Sequence, residues 1–252
     1  MEQREKEFKM NESDENEREE KKGDAKTEGK DDSETSDLIK ELGLFSTGSD
    51  FKSDIQCLTI IGSVEGHSLM PPEHKTTKYE HIIPQLVAVE ENPKVKGLLT
   101  ILNTMGGDVE AGLALAELTS SLSKPTVSLV LGGGHSIGVP LAVASKYSFI
   151  AGSATMTLHP IRMTGVVIGA EPMFDYFRKT QERVIEFIVK NSKADKKEIE
   201  KLMNSMDNMA MDIGTILFGD DAVDVGLIDE VGGLNAALKK LRDMIIVKSE
   251  ES

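Results

Sequence analysis

The chain has 252 residues, enough for one sizeable hydrophobic core or two small ones. Its formal net charge is −14, and residues 1–50 carry −8 of it from 17 acidic and 9 basic side chains. No basic surface is left for a nucleic-acid partner. One cysteine, Cys57, excludes an internal disulfide and fits a reducing, cytoplasmic setting. No apolar run reaches the ~18 residues of a membrane span, and the charged N-terminus has no signal-peptide pattern.

Residues 1–50 are rich in Glu, Lys, Asp, Ser and Asn. Such a segment cannot bury enough apolar surface to offset its ordering entropy, so 1–36 reads as disordered. Leu38, Ile39, Leu42 and Phe45 fall at helical spacing and suggest a short docking helix over 37–45. The folded domain is expected over 51–248. Its first strand is 55–61, in which Cys57 reads as a buried thiol. A polar loop follows over 66–78. Residues 79–90 read as a helix, with Pro84 requiring either a start near 81 or a kink. Strand 95–102, helix 108–122, strand 126–131, a short helix 136–144, and strands 147–151 and 155–158 come next. Beyond Glu171 the pattern turns helical: a long helix over 172–191 opened by Pro172, then 195–203, 206–217 and 234–246. Strands alternating with helices at this spacing indicate β-α units around a mostly parallel sheet.

Three segments carry candidate chemistry. Asn103-Thr104-Met105-Gly106-Gly107-Asp108 follows a buried strand and opens a helix. There a glycine pair lets the backbone approach a ligand, and the helix start offers free N–H groups. Tight strand-to-helix packing explains the glycines equally. Gly132-Gly133-Gly134-His135-Ser136-Ile137-Gly138 is similarly placed. Small neighbours leave the Ser136 hydroxyl uncovered for nucleophilic attack, but a serine here also suits a helix N-cap. Pro140, inside that helix's first turn, has no functional explanation. Thr155-Met156-Thr157-Leu158-His159-Pro160 places a histidine at a strand end, either a base of fixed direction or a histidine satisfied by its surroundings. His67, His74 and His81 show no metal-ligand spacing, and no cofactor or metal is implied. His135 adjoins Ser136, but neighbouring residues rarely direct their side chains together.

Taken in order, these segments and the ending Asp220-Asp221-Ala222-Val223-Asp224-Val225-Gly226-Leu227-Ile228-Asp229 resemble the Clp-type proteolytic subunit family over about 55–232. Within it, the Gly-Gly-Gly-His-Ser turn and the long polar loop are most similar to the translocation-enhancing branch. The resemblance implies a ClpP/crotonase-like superhelix of β-α units with a long projecting helix. It implies a serine peptidase acting on peptides or unfolded proteins inside a homo-oligomeric ring. Ser136 would be the nucleophile and His159 its base, with the N–H groups of Gly107 and Ile137 as oxyanion hole. An ungapped match back from Gly226 puts Gly214 where the family carries its triad aspartate. Asp212 is then the first choice for that role, and Asp207 the second. The segment 214–219 is similar to signal-peptide-peptidase relatives, which use a Ser–Lys pair. The acidic tail replaces the segment that docks unfoldase ATPases, which argues against such a partner. A crotonase-type acyl-CoA enzyme and a non-catalytic ring-forming or translocation-enhancing scaffold remain as alternatives on the same fold.

Overall fold

A computed structural model describes residues 53–162, 169–205 and 214–250. The tail, its expected docking helix, and both Asp207 and Asp212 lie outside the described residues.

Alternating polarity organises the first strand, β1 (Ile55–Glu65), so that Leu58, Ile60 and Val64 enter the core. Cys57 and Thr59 share the opposite face and are exposed. The expected buried thiol is therefore wrong: the strand has period two, and the continuous apolar run concealed it. The polar loop after β1 contains a short strand, β2 (Thr76–Lys78), parallel to β1. Helix α1 spans Tyr79–Glu91 with Pro84 inside it, so the start near 81 is not observed. The amide of Gln85 reaches back to the His81 carbonyl at 2.8 Å, one helical turn earlier.

Strand β3 (Gly97–Gly107) is longer than its apolar run and carries through the glycine pair. Asp108 caps helix α2 (Val109–Ser121), its carboxylate accepting from the Ala111 N–H at 2.8 Å. Strand β4 (Thr126–His135) likewise runs through the three glycines, and helix α3 is only Gly138–Val143. Strands β5 (Tyr147–Ile150) and β6 (Thr155–Leu158) follow. Helix α4 is Ala170–Lys190, and α5 is Lys196–Asn204, capped by the Asp195 side chain. The helix expected over 206–217 is not borne out at its end. Thr215–Phe218 is strand β7, with Thr215 and Leu217 buried and Ile216 and Phe218 exposed. Helix α6 (Gly219–Asp224), strand β8 (Glu230–Val231) and helix α7 (Leu234–Glu250) complete the described chain.

The sheet runs β2-β1-β3-β4-β5-β8, with β6 attached to β4 and β7 to β6. Every pairing is parallel except β6 with β7. The larger core cluster joins α1 to α6 to one sheet face. Helix α7 covers part of the other face, where Ala237 and Leu241 pack on Leu99, Val127, Leu129 and Phe149. This is the expected arrangement of β-α units about a parallel-dominated sheet.

One irregularity decides where the site forms. Strand β4 uses the same edge twice, pairing with β5 over Val127–Val130 and with β6 over Gly133–His135. Between the two halves its register to β3 slips, from Leu102 opposite Val130 to Thr104 opposite Gly134. Two extra residues of β4 are accommodated there, and Asn103 fills the break by accepting the Gly133 N–H at 3.0 Å. The bulge lets a second strand start where the first has ended.

Candidate active site

The register of β4 on β6 sets the geometry. His135 pairs with Thr157, so Ser136 and His159 emerge together from the C-terminal ends of adjacent parallel strands. Thr104 opposite Gly134 brings the end of β3, with Gly106 and Gly107, to the same edge. Ligand sites in parallel sheets form at such strand ends.

Ser136 is the one non-glycine with positive φ among the described residues, at 56°. A left-handed serine costs roughly 1–3 kcal/mol and persists only when its surroundings hold it. Its N–H donates to the Thr157 carbonyl at 2.8 Å, and its own carbonyl accepts from Val139 N–H at 3.0 Å. That second bond explains Pro140. The Ser136 carbonyl is already served one residue earlier, so the N–H missing from Pro140 leaves no acceptor waiting. Helix α3 has Ile137, not Ser136, at its N-cap, and no side chain caps it. The capping explanation for Ser136 therefore fails, and the strain is of the kind a nucleophile-type turn would carry.

The glycines of β3 are required by contact. A Cβ on Gly106, whose φ is 97°, would lie 2.7 Å from Ser136 Cβ. On Gly107 it would lie 2.2 Å from the Val64 carbonyl oxygen. Strand β3 can therefore approach both the serine and β1 only without side chains here.

Ser136, Ile137, Gly107 and His159 line one cleft of about 210 Å³. Its walls are apolar, from Val139, Leu158, Val184, Ile188 and Met203, with Arg162 also at the lining. Among the described residues no lysine lines it, so the Ser–Lys arrangement of the signal-peptide-peptidase relatives gains no support. Nδ1 of His159 lies 2.7 Å from the Pro160 carbonyl oxygen. A carbonyl only accepts, so Nδ1 carries the proton, and Nε2 of the neutral ring is free to accept one. Among the described residues no hydrogen bond joins Ser136 Oγ to the imidazole.

Gly214 occupies the position expected of the family's aspartate, and it is packed against the histidine. A Cβ there would stand 2.5 Å from the Leu158 carbonyl oxygen and 2.8 Å from His159 Cβ, at a φ of 137°. Gly214 therefore packs against His159 and brings no carboxylate to it.

Sequence adjacency offers His135 only Ser136 as a partner. Its ring turns to the outer face of β4 instead and bonds across the strand pair, with Nδ1 2.8 Å from Thr157 Oγ1. Burial, and secondarily the nearby charge of His159, hold its pKa below the ordinary histidine value. Cross-strand register was the signal that sequence adjacency did not supply.

The arrangement is suited to acyl transfer: an uncovered hydroxyl, an imidazole of fixed tautomer, and N–H groups at the start of a helix beside them. The Clp protease family model matches residues 56–234. Translocation-enhancing protein TepA of Halalkalibacterium halodurans is 58% identical over 207 residues, covering 82% of this chain and 81% of that protein. A protease candidate of Methanocaldococcus jannaschii is 30% identical over 214 residues, 74% of this chain and 68% of its own length. Proteolytic subunit 1 of the ATP-dependent Clp protease of Chlamydia abortus is 24% identical over 140 residues, 53% of this chain and 69% of that protein.

Proposed function

Because the chain belongs to the Clp protease family, we propose that it is a serine peptidase in which Ser136 attacks the peptide carbonyl and His159 takes its proton. The observation that carries this reading is the left-handed Ser136 at the end of β4, in register with His159 at the end of β6. Nε2 removes the hydroxyl proton as the Ser136 Oγ–carbonyl bond forms. The N–H groups of Gly107 and Ile137 receive the oxyanion, and the imidazolium then protonates the leaving amine. The Pro160 carbonyl fixes the tautomer of His159, and Asp212, outside the described residues, supplies the negative charge that stabilises the imidazolium. The apolar walls of the cleft favour an apolar side chain beside the scissile bond.

The decisive test is intact mass after incubation with a fluorophosphonate. One adduct is expected on the wild-type chain and none on Ser136→Ala. The non-catalytic alternative draws on one observation, the missing hydrogen bond between Ser136 and the imidazole. Such bonds are often long before substrate binds, and a wild-type chain that stays unlabelled would establish that alternative.

The same reading includes self-association into a ring, with substrate peptide reaching a shared interior. Its support is apolar surface that a lone chain leaves in water. From Ala170 to Lys179 no residue of α4 is buried, and Phe174 is 70% exposed. The sheet face beyond the reach of α7 exposes Met105, Leu131 and Phe218. Sedimentation is expected to show a homo-oligomer at micromolar concentration, and a single species of 27.5 kDa would refute it. No helix among the described residues is long and apolar enough to cross a membrane.

A further inference from the structure

We propose that the side chains of His135 and Thr157 form a clamp that holds the nucleophile turn against the base strand, making both of them positioning residues for the reaction at Ser136. The inference rests on Ser136 being the nucleophile.

Strand β6 has only four residues, and three of them pair with β4. The last rung joins His135 to Thr157, one residue before Ser136 and two before His159. This short ladder sets the register of the two strand ends that carry the reacting side chains. Thr157 holds the turn twice. Its carbonyl accepts the Ser136 N–H at 2.8 Å, and its hydroxyl bonds His135 Nδ1 at 2.8 Å. The backbone bond fixes the serine, and the side-chain bond ties the residue before it to the same threonine.

The rest of the turn is shaped to admit this pose. A Cβ on Gly133 would lie 2.5 Å from His135 Nε2, so the ring lies over a position where only glycine leaves it room. The amide of that same Gly133 is pinned from the other side by Asn103. The half-buried His135 is thus tied to β6 by its bond to Thr157 and lies over Gly133, whose backbone Asn103 holds. It does not serve as a second base. Its ring is absent from the lining of the cleft, and its Nδ1 is engaged with a hydroxyl. Burial, and secondarily the neighbouring His159, lower its pKa and so disfavour a second charge beside the base.

Thr157→Val isolates the side-chain bond, since it keeps the branched shape and the carbonyl that holds Ser136. The rate constant for fluorophosphonate labelling at saturating reagent is expected to fall about ten- to a hundredfold, the scale of a small misplacement of reacting groups. The half-saturating reagent concentration and the Tm should stay near wild type. Thr157→Ser should restore the rate. His135→Phe should lose as much as Thr157→Val, and the double variant no more than either, because one bond is removed in all three. Wild-type labelling rates in Thr157→Val would overturn the clamp and leave Ser136 as nucleophile. So would a loss that Thr157→Ser does not rescue, or losses that multiply in the double variant. A wild-type chain that the reagent never labels would overturn the nucleophile itself. If Thr157→Val does not fold, His135→Phe carries the same test.

Discussion

The two sides of the cleft are held in different ways. On the serine side the turn is fixed from several directions: Thr157 and Val139 bond its backbone, Gly106 lies against its Cβ, and Asn103 pins the bulge beneath it. That much support is what a left-handed, non-glycine residue requires. On the histidine side, the His159 ring has one hydrogen bond among the described residues, to the carbonyl of the next residue, and His159 packs against a glycine. The nucleophile is positioned by a network, and the base by strand register and the absence of a side chain at 214. Damage to the two sides should therefore show itself differently.

The largest effect belongs to the serine. Ser136→Ala should abolish labelling and any peptidase activity while leaving the fold intact. Ser136→Gly should be equally inactive but more stable, because glycine carries no penalty at a φ of 56° and recovers about 1 kcal/mol. A rise in Tm alongside complete loss of labelling would establish that the turn stores strain for function. A lower Tm in the glycine variant would show that the Ser136 side chain supports the fold.

Gly214→Ala tests the other side, and a smaller but mixed effect is expected. The new Cβ meets the Leu158 carbonyl and His159 Cβ at distances real atoms do not reach, on a backbone with φ of 137°. Strand end and histidine must shift, at a cost of roughly 1–3 kcal/mol. Labelling should slow in step with the lowered Tm. An alanine variant with wild-type Tm and labelling rate would mean that 214 does not pack beneath the base.

Most of this architecture was legible in the sequence, and the parts that were not share a cause. The pairing of Ser136 with His159 is what the resemblance to the Clp-type family implies, whereas the β-α order and the long α4 follow from apolar periodicity and glycine punctuation. The strand ends did not, because β3 and β4 continue through Gly106-Gly107 and Gly132–Gly134, residues that ordinarily signal a turn. Cys57 was misplaced because an unbroken apolar run hides which face alternate residues take. Strand β7 reads in the sequence as the end of a helix because Ile213 to Phe218 is short and largely apolar, where periodicity cannot separate the two. The partner of His135 is 22 residues away and is set by strand register, so adjacency does not reveal it.

Asp212→Asn gives the smallest of the expected effects and the sharpest view of the base side. In a serine triad the aspartate has two tasks: it fixes the imidazole tautomer, and it stabilises the imidazolium. Neutralising it costs about 10⁴-fold, chiefly because the wrong tautomer results. Here the Pro160 carbonyl already holds Nδ1–H at 2.7 Å, so the first task does not need a carboxylate. A neutral carbonyl carries less negative charge than a carboxylate and stabilises the imidazolium less, so the second task remains open. Asp212 is two residues before Gly214 in the chain. Asp212→Asn should therefore reduce turnover by well under the ~10⁴-fold of a triad aspartate, with little change in Tm, and Asp207→Asn, five residues earlier in the chain, should reduce it less still. A loss of the full triad size in Asp212→Asn would mean that its carboxylate displaces the Pro160 carbonyl from Nδ1 when substrate binds, and the base side would then be as firmly held as the serine side. Full activity in both variants would leave the carbonyl as the whole of the orienting group.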